Sequence, residues 1–368
     1  MQEILIILKR VFISVTNDLS TDQRVAKVCK TLTNNNYEVI LIGRKLKNSK
    51  NISRNYTTKR FKLLFNNGFL FFAEFNLRLF IYLLFHKKDI LLANDLDTLL
   101  PNFLVSKLQN KKLVFDSHEL FSEIPELVNR PKVKSFWMIL EDLIIPKLKN
   151  NYTVCDSIAK HYKNKYQTNF KTIKNLPFQK ELKKGNFNFD TKNQKIILYQ
   201  GATNLGRGLN LMIETVKIID NCCFVIIGDG DEFLNLKLKV ASEKLEKKVF
   251  LLGRKTPEEL AKLTPLADLG ISIEEDLGLN YRYALPNKIF DYIQANVPVL
   301  TADLPEMKAV ITKYNVGEVL KSRKPAIIAS QINQMFAKSY SESLKVAKRE
   351  LVWEKQETDL LKIFENLQ

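Results

Sequence analysis

Short apolar runs ending in polar turns alternate with segments of helical spacing along most of the chain. Arg10–Val15 (RVFISV) is apolar and stops at the polar stretch TNDLS. A helix is expected next. Ser20 with Gln23 has the form of a capping box, and Val25, Val28, Cys29 and Leu32 recur at helical intervals. Asn34, Asn35 and Asn36 end it, and YEVILIG reads as the next buried strand. A strand, a helix and a second buried strand in this order predict a parallel sheet. KKDILLAND and KKLVFDSHE repeat the pattern, each carrying polar residues to its C-terminal end. Ligands of open α/β sheets bind at that edge.

A second series follows the polar stretch Gln179–Lys195, which reads as an interdomain linker. IILYQ predicts a strand, GATNLGRG a glycine-rich loop, and the next segment a helix with Leu209, Met212, Ile213 and Val216 on one face. FVIIGDGDE, VFLLGR, LGISI and PVLTAD are further strands or strand ends. Thr256, Pro257 and Glu259 form a helix start, with Thr256 as N-cap and Glu259 completing the box. The tail LVWEKQETDLLKIFENL has amphipathic helical spacing. The expected architecture is α/β: two doubly wound, Rossmann-like domains facing across a cleft. The first spans residues 1–180 and the second 195–345, and a helical segment, 346–368, packs back on the first.

Gly68–Phe85 is the longest apolar region, but Glu74, Asn76 and Arg78 interrupt it. A bilayer-spanning helix tolerates such residues poorly. A helix with one face on the first sheet is the plainer expectation. The sharper one places its exposed Phe and Leu residues in a membrane interface, with Arg60, Lys62, Lys87 and Lys88 flanking.

Composition narrows the class. With 368 residues, 45% hydrophobic and 26% charged, the chain can build two globular cores. A formal net charge of +17 favours anionic partners. Nucleic acid is not expected among them, because no RNA- or DNA-binding module is recognisable. Cys29, Cys155, Cys222 and Cys223 form no CxxC pair, which argues against a zinc site or disulfide framework and for a reducing cytoplasm. The N-terminal apolar run Ile4–Leu8 is too short for a signal peptide.

Several residues could carry chemistry. Gly201, Gly206 and Gly208 lie between a strand and a helix, where backbone amides can cradle phosphate and Arg207 adds a charged fork. The spacing fits neither a dinucleotide fingerprint nor a P-loop, and a bare turn remains open. Asp229 and Asp231 have a DxD spacing, as do Asp95 and Asp97; both pairs read better as turns than as metal sites. His118 and Glu119 fall at the C-terminal end of a strand, either facing a cleft or capping a helix. Pro286 can start a helix with Asn287 and Lys288 in its first turn and Asp291 one turn on.

Taken together and in order, SVTNDLSTDQRVAKVC, ANDLDTLLPN, FDSHELFSEIPEL, YQGATNLGRGLNLMIE, IIGDGDE, EEDLGLNYRYALPNKIFDYIQANVPVL and the final WEKQE resemble the retaining glycosyltransferases of family 4, of GT-B fold, in particular bacterial surface-polysaccharide transferases. The resemblance implies a nucleotide-sugar donor on the C-terminal domain and a glycan, lipid-linked acceptor on the N-terminal one. It implies no cofactor and no metal, and a cytoplasmic enzyme at an anionic membrane surface. Gly201, Gly206, Gly208 and Arg207 match the loop that holds the donor diphosphate, with Lys288 and Asn287 beside the phosphates. Asp291 matches the second glutamate of the family's E-x7-E motif, which grips ribose, and His118 a histidine that approaches the donor sugar.

Three departures stand out. The motif's first glutamate falls at Tyr283, leaving Glu274 or Glu275 as substitutes from the preceding strand end. The second is Asp rather than Glu. The usual arginine after the loop's first glycine is Ala202. A nucleotide-sugar epimerase or hydrolase on the same fold, and a non-catalytic nucleotide-sugar-binding scaffold, are the rival readings.

Overall fold

The computed structural model describes residues 8–124, 127, 130–191 and 194–367. The chain divides into two compact units, Met1–Asn175 with Gln356–Gln368, and Leu176–Lys355. Each is built on one parallel sheet.

The first sheet has seven strands: β1 (Lys9–Ser14), β2 (Tyr37–Lys45), β3 (Thr57–Lys62), β4 (Ile90–Asn94), β5 (Lys112–Ser117), β6 (Asn150–Thr153) and β7 (Lys171–Thr172), in the order β3-β2-β1-β4-β5-β6-β7. Every pairing is parallel. β4 is buried along its whole length, as a central strand covered on both faces must be. The strand order reverses between β1 and β4, which opens a crevice at their C-terminal ends. Asn94, Asp95 and His118 are delivered to that edge.

The first helix starts two residues later than its sequence implies. Asp22 is the N-cap and accepts from Val25 N–H, while Ser20 bonds Asp18 instead of forming a capping box. A carboxylate at the entry of Gln23–Asn34 outcompetes the serine two residues before it.

Gly68–Phe85 is one helix. It meets the sheet through a single stripe, Phe71, Phe75, Leu79 and Leu83, packed with Phe12, Ile42, Phe61 and Leu91. Glu74 is consumed locally, accepting from the Leu64 and Phe65 amides and pairing with Arg78. The opposite side leaves Phe69, Leu77, Ile81 and Phe85 exposed, Phe85 at 77%. The neighbouring helix Pro131–Ile144 likewise exposes Val133, Phe136, Ile139 and Leu143, and Phe69 and Phe136 touch edge to face. Length and composition alone would let Gly68–Phe85 cross a membrane; in the fold its buried stripe makes it a surface helix of the first sheet.

The second sheet has six strands: β8 (Lys195–Gln200), β9 (Cys222–Ile227), β10 (Val249–Leu251), β11 (Leu269–Ser272), β12 (Val299–Thr301) and β13 (Gly317–Val319), in the order β10-β9-β8-β11-β12-β13. It too is parallel throughout, and its order reverses between β8 and β11. Helix Asn287–Gln294 lies over this sheet, with Pro286 as its N-cap. Tyr292 inserts flat onto β11, where Gly270 makes room: a β-carbon there would fall 2.4 Å from the ring. The Tyr292 hydroxyl donates to Leu198 O and accepts from Gln200 N–H, so it ties the helix to β8.

The stretch expected as a linker belongs to the second unit. Phe189 stacks on Phe250 at 3.9 Å and Phe187 on Phe189, so two aromatic side chains anchor a polar segment. Helix Ser341–Glu350 also stays with the second unit, and only the part of Trp353–Glu365 from Gln356 onward joins the first. There Thr31 donates to Glu357, Gln356 accepts from Lys174 N–H, and the Phe364 and Tyr37 rings meet edge to face.

Candidate functional site

In the second unit the candidate residues gather where β8 and β11 diverge. Gly201 follows β8 directly, and Gly208 caps helix Leu209–Ile218 in a left-handed conformation (φ 73°). A β-carbon at Gly208 would lie 2.6 Å from Ile273 O, so only glycine lets the helix start this close to the end of β11. The loop between them is braced from below. Thr203 N–H donates to Asp229 O, and Thr203 O accepts from Glu232 N–H. Gly206 O accepts from Glu275 N–H.

The Asp229–Asp231 pair is thereby a turn, with Asp229 Oδ1 accepting from Gly230 N–H. Gly228 permits that turn: a β-carbon would overlap Gly201 O at 1.7 Å.

The charged centre is Glu274. It is buried, and Oε1 lies 2.9 Å from Lys288 Nζ and 3.7 Å from Arg207 Nη1, while Oε2 accepts from Ser272 Oγ at 2.8 Å. Burial alone would raise its carboxyl; the Lys288 ammonium outweighs that and holds it below the usual carboxylate range. Lys288, only 8% exposed, also sits 4.0 Å above the Tyr199 ring and runs beside Gly201. Arg207 lies over the Tyr281 ring, and its Nε, shielded from solvent, has no hydrogen-bond partner; neither has Thr203 Oγ1. Two cations therefore converge on one carboxylate beside a loop with unused donors.

Asp291 is not the partner of Lys288. Its Oδ2 accepts from Gln200 Nε2 at 3.0 Å, and Gln200 Oε1 accepts in turn from Thr264 Oγ1. Lys288 and Asp291 lie one turn apart on neighbouring positions of the helix, but Lys288 reaches Glu274 after β11 while Asp291 bonds Gln200 at the end of β8. Asn287 is exposed in the first turn, and Tyr283 closes the short helix Leu279–Arg282, both partly or fully open to solvent. Of the two glutamates the sequence leaves open, Glu274 takes the interior place. Glu275, next along the extended chain, points the opposite way; it is 42% exposed and pairs with Arg323. Its contribution to the loop is the backbone N–H.

In the first unit His118 lies at the C-terminal end of β5 within a charged cluster. Nε2 is 3.0 Å from Asp116 Oδ2 and 3.2 Å from Asn94 Oδ1; Nδ1 is 3.2 Å from Asp95 Oδ2. Asp116 is fully buried and also held by a two-pronged contact from Arg24, both distances 2.8 Å. Burial would raise the Asp116 carboxyl, but Arg24 and His118 pull it down to about 2. Burial would lower the His118 imidazolium; Asp95 and Asp116 override it. Asp97 accepts from Thr16 Oγ1. So Asp95–Asp97 is not a plain turn: Asp95 reaches across to β5.

Asp95 adopts φ 57°, ψ 168°, a backbone region that costs a non-glycine residue of order 1–3 kcal/mol. Its N–H donates to Asp116 O and its Oδ1 accepts from His118 N–H, both at 2.8 Å. Nothing local announces this cluster, since Arg24 and Asp116 are separated by 92 residues. Among the described residues, no group of three or more His, Cys, Asp or Glu side chains is placed to hold a metal ion.

Comparison with known proteins agrees with this geometry. Residues 180–350, nearly all of the second unit, match the family model of glycosyl transferases group 1. No curated protein matches the chain in sequence. Among solved structures, sucrose-phosphate synthase from Thermosynechococcus elongatus aligns with TM-score 0.82 at 13% identity, covering 97% of this chain and 98% of that one. Anabaena HepE in complex with UDP and glucose aligns with TM-score 0.72 at 14% identity over 98% and 100%. WaaG, a glycosyltransferase of lipopolysaccharide biosynthesis, aligns with TM-score 0.69 at 14% identity over 96% and 99%. The chain thus has the GT-B fold, its second unit carries the match to the group 1 glycosyl transferases, and the comparisons together support glycosyl transfer.

Proposed function

We propose that the protein transfers a hexosyl or N-acetylhexosaminyl group from a nucleotide sugar to a glycan acceptor, with retention, as a family 4 enzyme of surface-polysaccharide synthesis. The observation that carries the reading is the convergence of Arg207 and Lys288 on buried Glu274, beside the loop Gly201–Gly208. A nucleoside diphosphate offers more negative charge than one carboxylate, and both cations can serve it while Glu274 keeps them aimed. Asp291, fixed by Gln200, is the acceptor for ribose hydroxyls.

In the reaction the bond from the anomeric carbon to the diphosphate oxygen breaks, and its electron pair stays on the diphosphate. Arg207, Lys288 and the loop amides stabilise that charge as it develops, which is electrostatic catalysis. The acceptor hydroxyl attacks from the same face and passes its proton to the leaving phosphate. No metal is needed in this scheme, because the cations are side chains.

The acceptor is lipid-linked and the enzyme works at the inner face of the cell membrane. Support comes from the adjoining apolar faces of Gly68–Phe85 and Pro131–Ile144 and from the net charge of +17. The WaaG likeness supports the polysaccharide role.

The test is a thermal-shift screen of nucleotide sugars, beginning with UDP-glucose, followed by turnover with and without glycan acceptors. A true donor raises the melting temperature by mass action. Product only in the presence of acceptor supports transfer. Product without acceptor supports the hydrolase or epimerase reading, and stabilisation with no product the scaffold reading.

A further inference from the structure

We infer that Asp95 is a positioning residue which, with Asp116, locks His118 as a fixed cation that takes no part in proton transfer. The inference rests on the functional reading above only for its activity arm.

The geometry commits both ring nitrogens. Nδ1 faces the Asp95 carboxylate and Nε2 the Asp116 carboxylate, at 3.2 and 3.0 Å. A neutral imidazole has one N–H and could satisfy only one of the two; the other carboxylate would then face a lone pair. With both acids ionised, only the doubly protonated ring turns an N–H toward each, Nε2 as a hydrogen bond to Asp116 and Nδ1 at ion-pair distance from Asp95. The ring is also held from its own backbone, because His118 N–H donates to Asp95 Oδ1. One carboxylate thereby grips the residue at two points.

The charges facing His118 within the first unit balance in the same sense. Asp95 comes from the start of helix Leu96–Leu108, with Asp97 two residues on; Asp116 comes from β5, and Glu119 follows in chain. Arg24, from helix Gln23–Asn34, opposes them but is spent on Asp116 through two hydrogen bonds. Burial pushes the Asp95 carboxyl up, against the pull of His118, which marks Asp95 as the softer member of the clamp and the one to vary. The strained backbone at Asp95 is the second sign: a left-handed aspartate is retained where its carboxylate can reach both the ring and the amide of His118.

A ring that keeps its proton past neutrality cannot serve as a general base near pH 7.

The test is a histidine NMR titration of the whole chain, labelled at histidine. The three histidines, His86, His118 and His161, give a resolvable set. In the native protein His118 is expected to stay imidazolium past neutrality and to titrate toward about 10. In Asp95→Asn its midpoint is expected to fall by at least about one pH unit, the usual effect of losing an adjacent opposite charge. Asp95→Gly relieves the left-handed backbone and removes the same carboxylate, so it guards against a variant that fails to fold; unchanged His86 and His161 signals verify the fold. A native midpoint near 6.5, the ordinary histidine value, overturns the inference. So does an unshifted midpoint in both variants. With a donor and acceptor in hand, log kcat/KM should show no histidine limb in the native enzyme between roughly pH 6 and 8, and should gain one in Asp95→Asn. Because the titration needs no substrate, failure to find a sugar donor leaves it standing and counts only against the transferase reading.

Discussion

Replacing Lys288 by methionine removes the ammonium and keeps the length of the side chain. Glu274 would then be a buried carboxylate without its nearest cation. Losing one partner of a buried pair typically costs 3–5 kcal/mol. Here the Ser272 hydroxyl stays at 2.8 Å and the Arg207 guanidinium at 3.7 Å, so the loss should sit at the lower end, about 3 kcal/mol. For a unit of this size that lowers Tm by roughly 6–12 °C. Urea unfolding can read the second unit alone: Trp353 is fully buried there, and Trp137, in the first unit, can be replaced by Phe. A double-mutant cycle with Glu274→Gln isolates the pair. Removing both charges leaves no uncompensated ion, so the double variant should lose about 2 kcal/mol less than the sum of the two singles. The same Lys288→Met protein should bind UDP or the selected donor on the order of tenfold to a hundredfold more weakly. A single variant costing under about 1 kcal/mol, or an additive cycle, would refute the description of Glu274 as the centre on which the cations converge.

Asp291→Asn should leave Tm nearly unchanged and weaken donor binding roughly tenfold to a hundredfold, since an acceptor for ribose becomes a donor; native affinity measured calorimetrically would remove Asp291 from the site. Turnover should survive excess chelator; loss that magnesium or manganese restores would show a metal requirement. The protein should float with anionic liposomes at low salt and less at high salt, each basic residue near the surface adding about 1 kcal/mol; equal recovery with neutral vesicles would contradict the electrostatic part. Asp116, with its carboxyl lowered to about 2, lends stability that is present above the ordinary carboxylate pKa and is lost as pH falls toward 2. That loss, about 2 kcal/mol, should be absent in the acid unfolding of Asp116→Asn.

Much of the architecture is written in local pattern. Apolar runs such as Cys222–Ile227, short and followed by a Gly-Asp-Gly turn, read as buried strands and are buried throughout, and the Thr256–Glu259 capping box forms as its residues require. β3 is harder to read, because an edge strand spelled TTKRFK has a single apolar residue, Phe61, and neither an apolar run nor an alternation. The glycine loop and the front of helix Asn287–Gln294 are legible because turn and helix chemistry is local. The choice of Glu274 over Glu275 is not; it depends on which of two consecutive side chains faces inward after β11. The His118 cluster is legible only as a histidine at a strand end. Its partners Arg24, Asp95 and Asp116 come together through sheet order alone, and a DxD spacing by itself favours a turn.

The chain's route between its units has a consequence for its birth. Trp353 N–H donates to Pro177 O and Glu354 accepts from Gln179 N–H, so the second unit begins and ends at one place. It is an insertion within the first. In chain order the second unit is complete at Lys355, while the first still lacks helix residues 356–365, among them Leu360 and Phe364, which are fully buried. The contacts Thr31–Glu357 and Tyr37–Phe364 join residues more than three hundred positions apart, so the unit that emerges first from the ribosome is the last to close. A chain ending at residue 355 and released from the ribosome should carry a protease-resistant second unit and a first unit still open to cleavage, its helix Gln23–Asn34 waiting for the strap that covers it.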